Sequence, residues 1–297
     1  MIFAGIDIGS NAVRVLFSDV FAGEGGRPVA SKVALVRVPL RLGEDVFSEG
    51  YIRPESERAL IDTLLAFKQL MAVYKTVDFA ACATAAMREA ANGAEVVRQV
   101  KAATGIDIRV IDGLEEARII RTAGESLPEE RYDTTVYVDV GGGSTEISVT
   151  ENGRFLQSYS FKLGTLRLLH HAEDPQEFER LEAWLRQFEG QFGRMNLVGS
   201  GGNINKLTKL FGDKTGLSIS LPQLRKGYKK LEGMDVSERM AAFKLRADRA
   251  DVILPAARIF LFIAERTGAE RIWVPRFGLA DGLVCQLYQD EIGIKKA

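Results

Sequence analysis

Two cysteines, two histidines and eight prolines are spread over 297 residues, and each scarcity closes a route. Cys82 and Cys285 stand far apart in apolar stretches, so the chain reads as carrying two buried thiols in a reducing compartment, not a disulfide. His170 and His171 are adjacent, which points them to different sides of a helix and argues against zinc. No stretch approaches the roughly 18 apolar residues of a membrane span. The N-terminus has neither a charged prefix nor an apolar leader core, so a cytoplasmic protein that contacts no membrane is expected. A formal charge of −1 gives no global attraction to nucleic acid. With 46% hydrophobic and 27% charged residues the composition is that of a globular core, and the length suits two domains of about 120 to 170 residues.

Glycine is placed where it matters. Asp7-Ile8-Gly9-Ser10-Asn11 follows one short apolar run and precedes another, and Asp139-Val140-Gly141-Gly142-Gly143-Ser144-Thr145 repeats the arrangement near the middle of the chain. Each reads as a strand, a glycine turn and a second strand, with Asp at the first strand's end. A glycine there admits positive φ and lets successive amides face phosphate oxygens. A third cluster, Gly199-Ser200-Gly201-Gly202-Asn203, follows a strand and opens a helix, a junction suited to anions. Three such clusters predict a phosphate chain gripped from two lobes.

The order of elements recurs in each half. Strands are predicted at Ile2 to Asp7, Val13 to Phe17, Lys32 to Pro39, Val77 to Ala83 and Ile106 to Ile111, with helices at Pro54 to Tyr74, Met87 to Ala91, Ala94 to Ala103 and Leu114 to Ala123. The second half predicts strands at Val136 to Asp139, Glu146 to Thr150, Arg154 to Phe161, Asn196 to Val198 and Arg271 to Val274. Helices fall between Thr165 and Phe192, at Asn203 to Leu210 and at Leu279 to Gln289, with extra ones between Pro222 and Arg266. Mixed sheets flanked by helices, occurring twice, predict a two-lobed α/β protein with a cleft. The boundary is expected in the polar stretch Glu125 to Thr134, giving lobes over 1–126 and 127–297, with the last helix free to pack back on the first. Glu24 to Pro28 reads as a surface turn.

Taken in order, Asp7 to Leu16 (DIGSNAVRVL), Arg41-Leu42-Gly43, Ala83 to Asn92 (ATAAMREAAN), Ile111 to Arg118 (IDGLEEAR), Asp139 to Glu146 (DVGGGSTE), the Gly199 loop and Phe277 to Leu283 (FGLADGL) resemble the exopolyphosphatase and guanosine pentaphosphate phosphatase family. The resemblance implies two actin-like, ribonuclease-H-like lobes with an interlobe cleft, as in the sugar kinase, heat-shock protein and actin superfamily. It is to the short form, without the additional C-terminal helical domain. Ala280-Asp281 stands where many relatives carry Arg-Glu, and Asn203 replaces a common Thr.

By residue type alone, Glu115 and Glu116 suit an acidic helix cap as well as water activation. Asp139 and Glu146, on opposite strands of one hairpin, suit a hard cation, and each also suits a structural role. Arg88 suits phosphoryl oxygens or an ion pair with Glu89 or Glu95. The resemblance implies that Glu116 activates water, that Arg88 stabilises developing charge, and that Asp139, Glu146 and Asp7 serve magnesium or another divalent cation. The three glycine clusters themselves supply the phosphate-binding candidates: Gly9, Ser10 and Asn11, with Arg14 as a cleft candidate beside them; Gly141, Gly142, Gly143, Ser144 and Thr145; and Gly199, Ser200, Gly201, Gly202 and Asn203. Arg41, Lys162 and Arg167 are further candidates, and Glu115 keeps its structural reading. Lys206 to Arg249 holds eleven basic against five acidic residues. Arg225, Lys226, Lys229 and Lys230 fall along one helix side there, as a solvated face or as a guide for a polyanion. The implied activity is metal-dependent hydrolysis of the terminal phosphate of inorganic polyphosphate. Guanosine pentaphosphate is the alternative substrate, and a slowly hydrolysing nucleotide sensor is the alternative class. The resemblance leaves a homodimer open.

Overall fold

The structure is a computed structural model that describes residues 1–23, 28–123, 132–191 and 193–296. The chain divides into two compact units, Met1–Ala123 with Phe277–Ala297, and Gly124–Arg276. The linker expected at Glu125 to Thr134 lies outside the described residues as far as residue 131, and so does the turn expected at Glu24 to Pro28 as far as residue 27.

The first unit opens with β1 (Ile2–Ile8), β2 (Val13–Ala22) and β3 (Pro28–Val38), followed by α1 (Leu42–Glu49), α2 (Pro54–Val73), β4 (Asp78–Ala83), α3 (Ala85–Glu89), α4 (Gly93–Thr104), β5 (Ile108–Val110) and α5 (Gly113–Thr122). Its sheet order is β3-β2-β1-β4-β5, with the first three strands antiparallel and β1, β4 and β5 parallel. This is a ribonuclease-H-like sheet. One face carries Ile6, Ile8, Val13 and Phe17 against Leu60, Leu64 and Phe67 of α2 and Val96 and Val100 of α4. The α2 spacing puts those side chains on one stripe behind a Pro54 start, and each fully buried one contributes about 1.5–3 kcal/mol. The opposite face packs Cys82 against Ile119 and Ile120, with Leu279 and Leu283 of a helix from the far end of the chain, α13 (Leu279–Lys296). That helix, counted with 127–297 in sequence order, groups with the first unit because Val284 and Tyr288 bury against Phe3 and Val20.

The second unit repeats the plan with β6 (Thr134–Val140), β7 (Thr145–Glu151), β8 (Arg154–Phe161), α6 (Thr165–Leu169), α7 (Glu177–Leu185), a 3-10 segment at Arg186–Gln191, β9 (Met195–Ser200), α8 (Gly202–Phe211), β10 (Ser218–Ser220), α9 (Leu221–Glu232), α10 (Val236–Phe243), α11 (Ala247–Ala250), α12 (Ile253–Thr267) and β11 (Arg271–Trp273). The order β10-β11-β9-β6-β7-β8 is the first unit's sheet with one antiparallel edge strand added. Val136, Val138, Ile147 and Val149 meet Leu207, Phe260 and Ile263 in its core. Two elements were not expected from sequence, α1 and β10. The first follows Arg41, a left-handed residue (φ 55) that caps without a side-chain bond, and the second is three residues long, too short to show alternation. Cys82 and Cys285 are both buried. No helix among the described residues is long and apolar enough to cross a membrane.

The loop into β10 turns on Asp213, which accepts from Thr215 Oγ1 (2.6 Å), from the amides of Gly216 (2.8 Å) and Leu217 (3.3 Å) and from the Ser218 hydroxyl. These bonds, the Ser218 hydroxyl first, hold its carboxyl down at about 2 against an ordinary 3.8. A depressed acid contributes stability that is present above the ordinary value and lost as pH falls through the folded one. Asp213→Asn is therefore expected to lower the melting temperature at neutral pH and to flatten its fall between pH 3.8 and about 2. Thermal unfolding across that range checks it, and superimposable acid limbs would contradict it.

Candidate functional site

The two glycine hairpins share one frame. The Gly9 amide donates to the Ala12 carbonyl (3.1 Å) and the Gly141 amide to the Ser144 carbonyl (2.9 Å). Asp7 lies opposite Arg14 across the first turn, and Asp139 lies opposite Glu146 across the second. The chemistry differs at that one pair. In the first hairpin Arg14 Nη1 donates to Asp7 Oδ2 (2.5 Å), so a cation already answers the aspartate. In the second, two carboxylates sit side by side, with Glu146 2% exposed. Serine hydroxyls hold both: Ser200 Oγ donates to Asp139 Oδ1 (2.5 Å) and Ser160 Oγ to Glu146 Oε1 (2.8 Å). Adjacent hard oxygens on neighbouring strands fit a divalent cation.

The backbone of the second turn is oriented from behind. The amides of Thr165 and Leu166, opening α6, donate to the carbonyls of Gly141 (3.0 Å) and Gly142 (2.9 Å), and buried Arg167 donates through Nε to the Gly143 carbonyl (2.9 Å). Arg167 thus braces the turn. Gly164 makes this contact possible, since a Cβ there would lie 2.3 Å from the Gly142 oxygen and from the Gly143 carbonyl carbon. Among the described residues, the amides of Gly142, Gly143 and Ser144 have no acceptor, although all three residues are buried. Buried donors call for a partner, and an anion's oxygens would supply it. The Thr145 hydroxyl, at the start of β7, donates to the Leu163 carbonyl (2.5 Å).

In the first hairpin the Ser10 hydroxyl is buried without a hydrogen-bond partner among the described residues. The Arg41 to Gly43 segment supports this turn: the Arg41 amide donates to the Asn11 carbonyl (3.2 Å) and the Gly43 amide to the Ser10 carbonyl (2.8 Å). Arg41 itself pairs with Glu44 (2.7 Å). At the third cluster Gly201 has φ 94, a conformation that favours glycine, and a Cβ on it would lie 3.0 Å from Asp139 Oδ1, which would have to shift. Ser200 and Asn203, expected as phosphate ligands, have protein partners here. Ser200 holds Asp139, and Asn203 Oδ1 accepts from Arg249 Nη1 (3.3 Å). Arg249 stands at the N-terminus of α8, where unpaired amides and the helix dipole are already positive. Burial first, then Lys209 and Arg249, pull the Lys206 ammonium below its ordinary value. Sequence reading passed over Arg249, which lies 46 residues from Asn203 with no motif around it.

In the first unit Glu116 is buried (7% exposed) in the first turn of α5, behind the Asp112 cap that accepts from the Glu115 amide (2.8 Å). The two neighbours differ in their surroundings. Glu115 is tied to Arg109 and lies 3.7 Å from Arg118, in keeping with a structural reading. Arg88 on α3 donates through Nη1 to the Ile111 carbonyl (2.7 Å), just ahead of α5, while Glu95 is taken by Arg98 and Gln99. Burial pushes the Cys82 thiol up, against the opposing pull of Arg109. Lys162 contributes its amide to Glu177 (3.0 Å). Along α9, Arg225, Lys226, Lys229 and Lys230 share the exposed side. Arg225 pairs with Glu265 (2.7 Å) and Lys230 lies over the Phe243 ring (5.2 Å).

The model of the Ppx/GppA phosphatase family matches residues 24–291. Exopolyphosphatase 2 of Mycobacterium tuberculosis is 29% identical over 96% of this chain and 98% of its own length. The crystal structure of the Aquifex aeolicus Ppx/GppA member is similar with a TM-score of 0.76 at 25% identity, covering 98% of both chains. An exopolyphosphatase structure from Cytophaga hutchinsonii shares the fold with a TM-score of 0.82 at 23% identity, over 99% of this chain and 98% of that one. Actin-like sheets occurring twice, glycine hairpins with acidic strand ends and a family match over most of the length agree: this chain belongs to the Ppx/GppA phosphatase family.

Proposed function

We propose that the protein is a metal-dependent exopolyphosphatase that removes the terminal phosphate of inorganic polyphosphate by attack of water. The observation that carries this reading is the run of buried, acceptor-less amides at Gly142, Gly143 and Ser144 beside the serine-held pair Asp139 and Glu146. Amides of this kind cradle phosphoryl oxygens, and paired carboxylates hold magnesium. A bound divalent cation would neutralise phosphoryl charge and polarise the bond to be broken. Glu116 directs and deprotonates the water, and Arg88 and Arg14 supply planar donors for the equatorial oxygens. Asp7 orients Arg14. The buried Ser10 hydroxyl and the α8 N-terminus with Arg249 bind further phosphates of the chain. The names of the relatives favour the same substrate.

The row on α9 supports a long polyanion over a nucleotide, since Lys226 and Lys229 are exposed cations on one side of the helix and a long chain can engage more cations than a nucleotide can. Orthophosphate release is expected to be faster from long-chain polyphosphate than from guanosine pentaphosphate or ATP, each supplied with magnesium at equal terminal-phosphate concentration. Dominant ATP hydrolysis would overturn the reading, and dominant release from guanosine pentaphosphate would move it to the nucleotide. The same assay at rising salt tests the α9 row. KM for long chains is expected to climb more steeply than KM for tripolyphosphate, and equal slopes would remove the row from the account.

A further inference from the structure

One straight row of polar side chains crosses four strands of the second unit's sheet. Ser160 of β8 is in register with Glu146 of β7, Glu146 with Asp139 of β6, and Asp139 with Ser200 of β9. Residues in register on adjacent strands project from the same face, so the two carboxylates are neighbours with a hydroxyl on each flank. We propose that Ser160 and Ser200 are positioning residues that aim the Asp139 and Glu146 carboxylates at a divalent cation. This rests on the proposed reading of that hairpin as the metal-holding one.

Two like charges directly opposite each other destabilise a sheet unless something compensates them. The serines compensate in a directional way. A hydroxyl has one hydrogen to donate; that of Ser160 faces Glu146 Oε1 (2.8 Å), and that of Ser200 has Asp139 Oδ1 at 2.5 Å, much nearer than its other acceptor, the Val138 carbonyl at 3.5 Å. Fixing one oxygen fixes the plane of the carboxylate, and with it where the second oxygen lies. Outer-shell bonds of this kind orient metal ligands, and their loss weakens metal binding about 10- to 100-fold.

The first unit supplies an internal control. Its corresponding row reads Arg37, Arg14, Asp7 and Cys82 in the same registers. There an arginine stands where Glu146 stands in the second unit, and it bonds the aspartate directly. Hydroxyl flanks accompany the carboxylate pair, and arginine and thiol flanks accompany the salt bridge. The difference matches the division proposed for the two hairpins, cation-holding for the second and phosphate-holding for the first, where Arg14 already answers Asp7.

The test is a calorimetric titration of the full-length protein with Mn2+ and no substrate, on wild type, Ser160→Ala, Ser200→Ala, the double variant, Ser160→Thr and Asp139→Asn. Each alanine variant is expected to raise the Mn2+ dissociation constant about 10-fold, the double variant more, and Ser160→Thr to stay near wild type because it keeps the hydroxyl. In turnover assays the metal concentration for half-maximal rate should rise more than kcat falls. Metal-free melting temperatures are expected to fall modestly, because the opposed carboxylates each lose a donor, so Mn2+ affinities are compared at a temperature where every variant is folded. If the double variant fails to fold, the half-buried Ser160→Ala carries the test, since it opens no core cavity. Tight Mn2+ binding by wild type that Asp139→Asn loses and the serine variants keep would overturn the positioning role while sparing the metal site. No Mn2+ binding by wild type would overturn the metal site itself.

Discussion

Glu116→Gln is expected to lower kcat by about 10²- to 10⁴-fold while KM stays within a few-fold of wild type. The substitution keeps the volume and one carbonyl oxygen, so substrate contacts survive, and it removes the basic oxygen that would accept a proton from water. The helix itself should tolerate the change. Its start is secured by Asp112, whose side chain accepts from the Glu115 amide, and loss of one charge from a first turn costs only about 0.3–1 kcal/mol. Steady-state kinetics on polyphosphate, with circular dichroism to confirm the fold, separate the two effects. Retention of more than about a tenth of wild-type turnover, above the range for loss of a general base, would remove Glu116 from that role.

Gly164→Ala should be the most damaging small substitution in the second unit. The new methyl would sit 2.3 Å from both the Gly142 oxygen and the Gly143 carbonyl carbon, and neither backbone atom can rotate away as a side-chain end would. Relief requires that α6 move off the glycine turn. That would break the bonds from Thr165 and Leu166 to the Gly141 and Gly142 carbonyls and leave the phosphate-facing amides unoriented. Overpacking of this kind costs about 1–3 kcal/mol, and misplaced donors should also raise KM for polyphosphate. Gly190→Ala is the matched control, because a Cβ there meets nothing within 4 Å and its expected effect is within about 0.5 kcal/mol. Chemical denaturation and KM for the two variants settle the comparison. Equal behaviour would show that the α6 contact does not shape the turn.

The parts of this molecule that could be read from its sequence are those set by local chemistry. Asp7 to Asn11 and Asp139 to Thr145 announce strand, glycine turn and strand within a few residues, and both hairpins stand where those signals fall. The long α2 is equally open to reading, with a proline start and a clear apolar stripe. Ser160 shows the opposite case. Counting back from the turn at Asn152 and Gly153 would set Tyr159 opposite Glu146, but a bulge at Val149 and Thr150 shifts the register by one and brings Ser160 there instead. A one-residue slip exchanges the two faces of a strand, and no local pattern announces it. Arg249 was hidden for a related reason: its contact with Asn203 depends on how α11 returns to α8, a tertiary matter. The last helix is apolar on the side it buries, yet nothing in that pattern says which sheet it will cover.

The account's central claim is that water, directed by Glu116, attacks the terminal phosphorus of polyphosphate. A single turnover of long-chain polyphosphate with magnesium in water enriched in oxygen-18, followed by mass analysis of both products, addresses it most directly. Attack at the terminal phosphorus puts one solvent oxygen into each released orthophosphate and none into the shortened chain, and that is the expected result. Solvent oxygen on the new end of the chain, or no orthophosphate released at all, would contradict it.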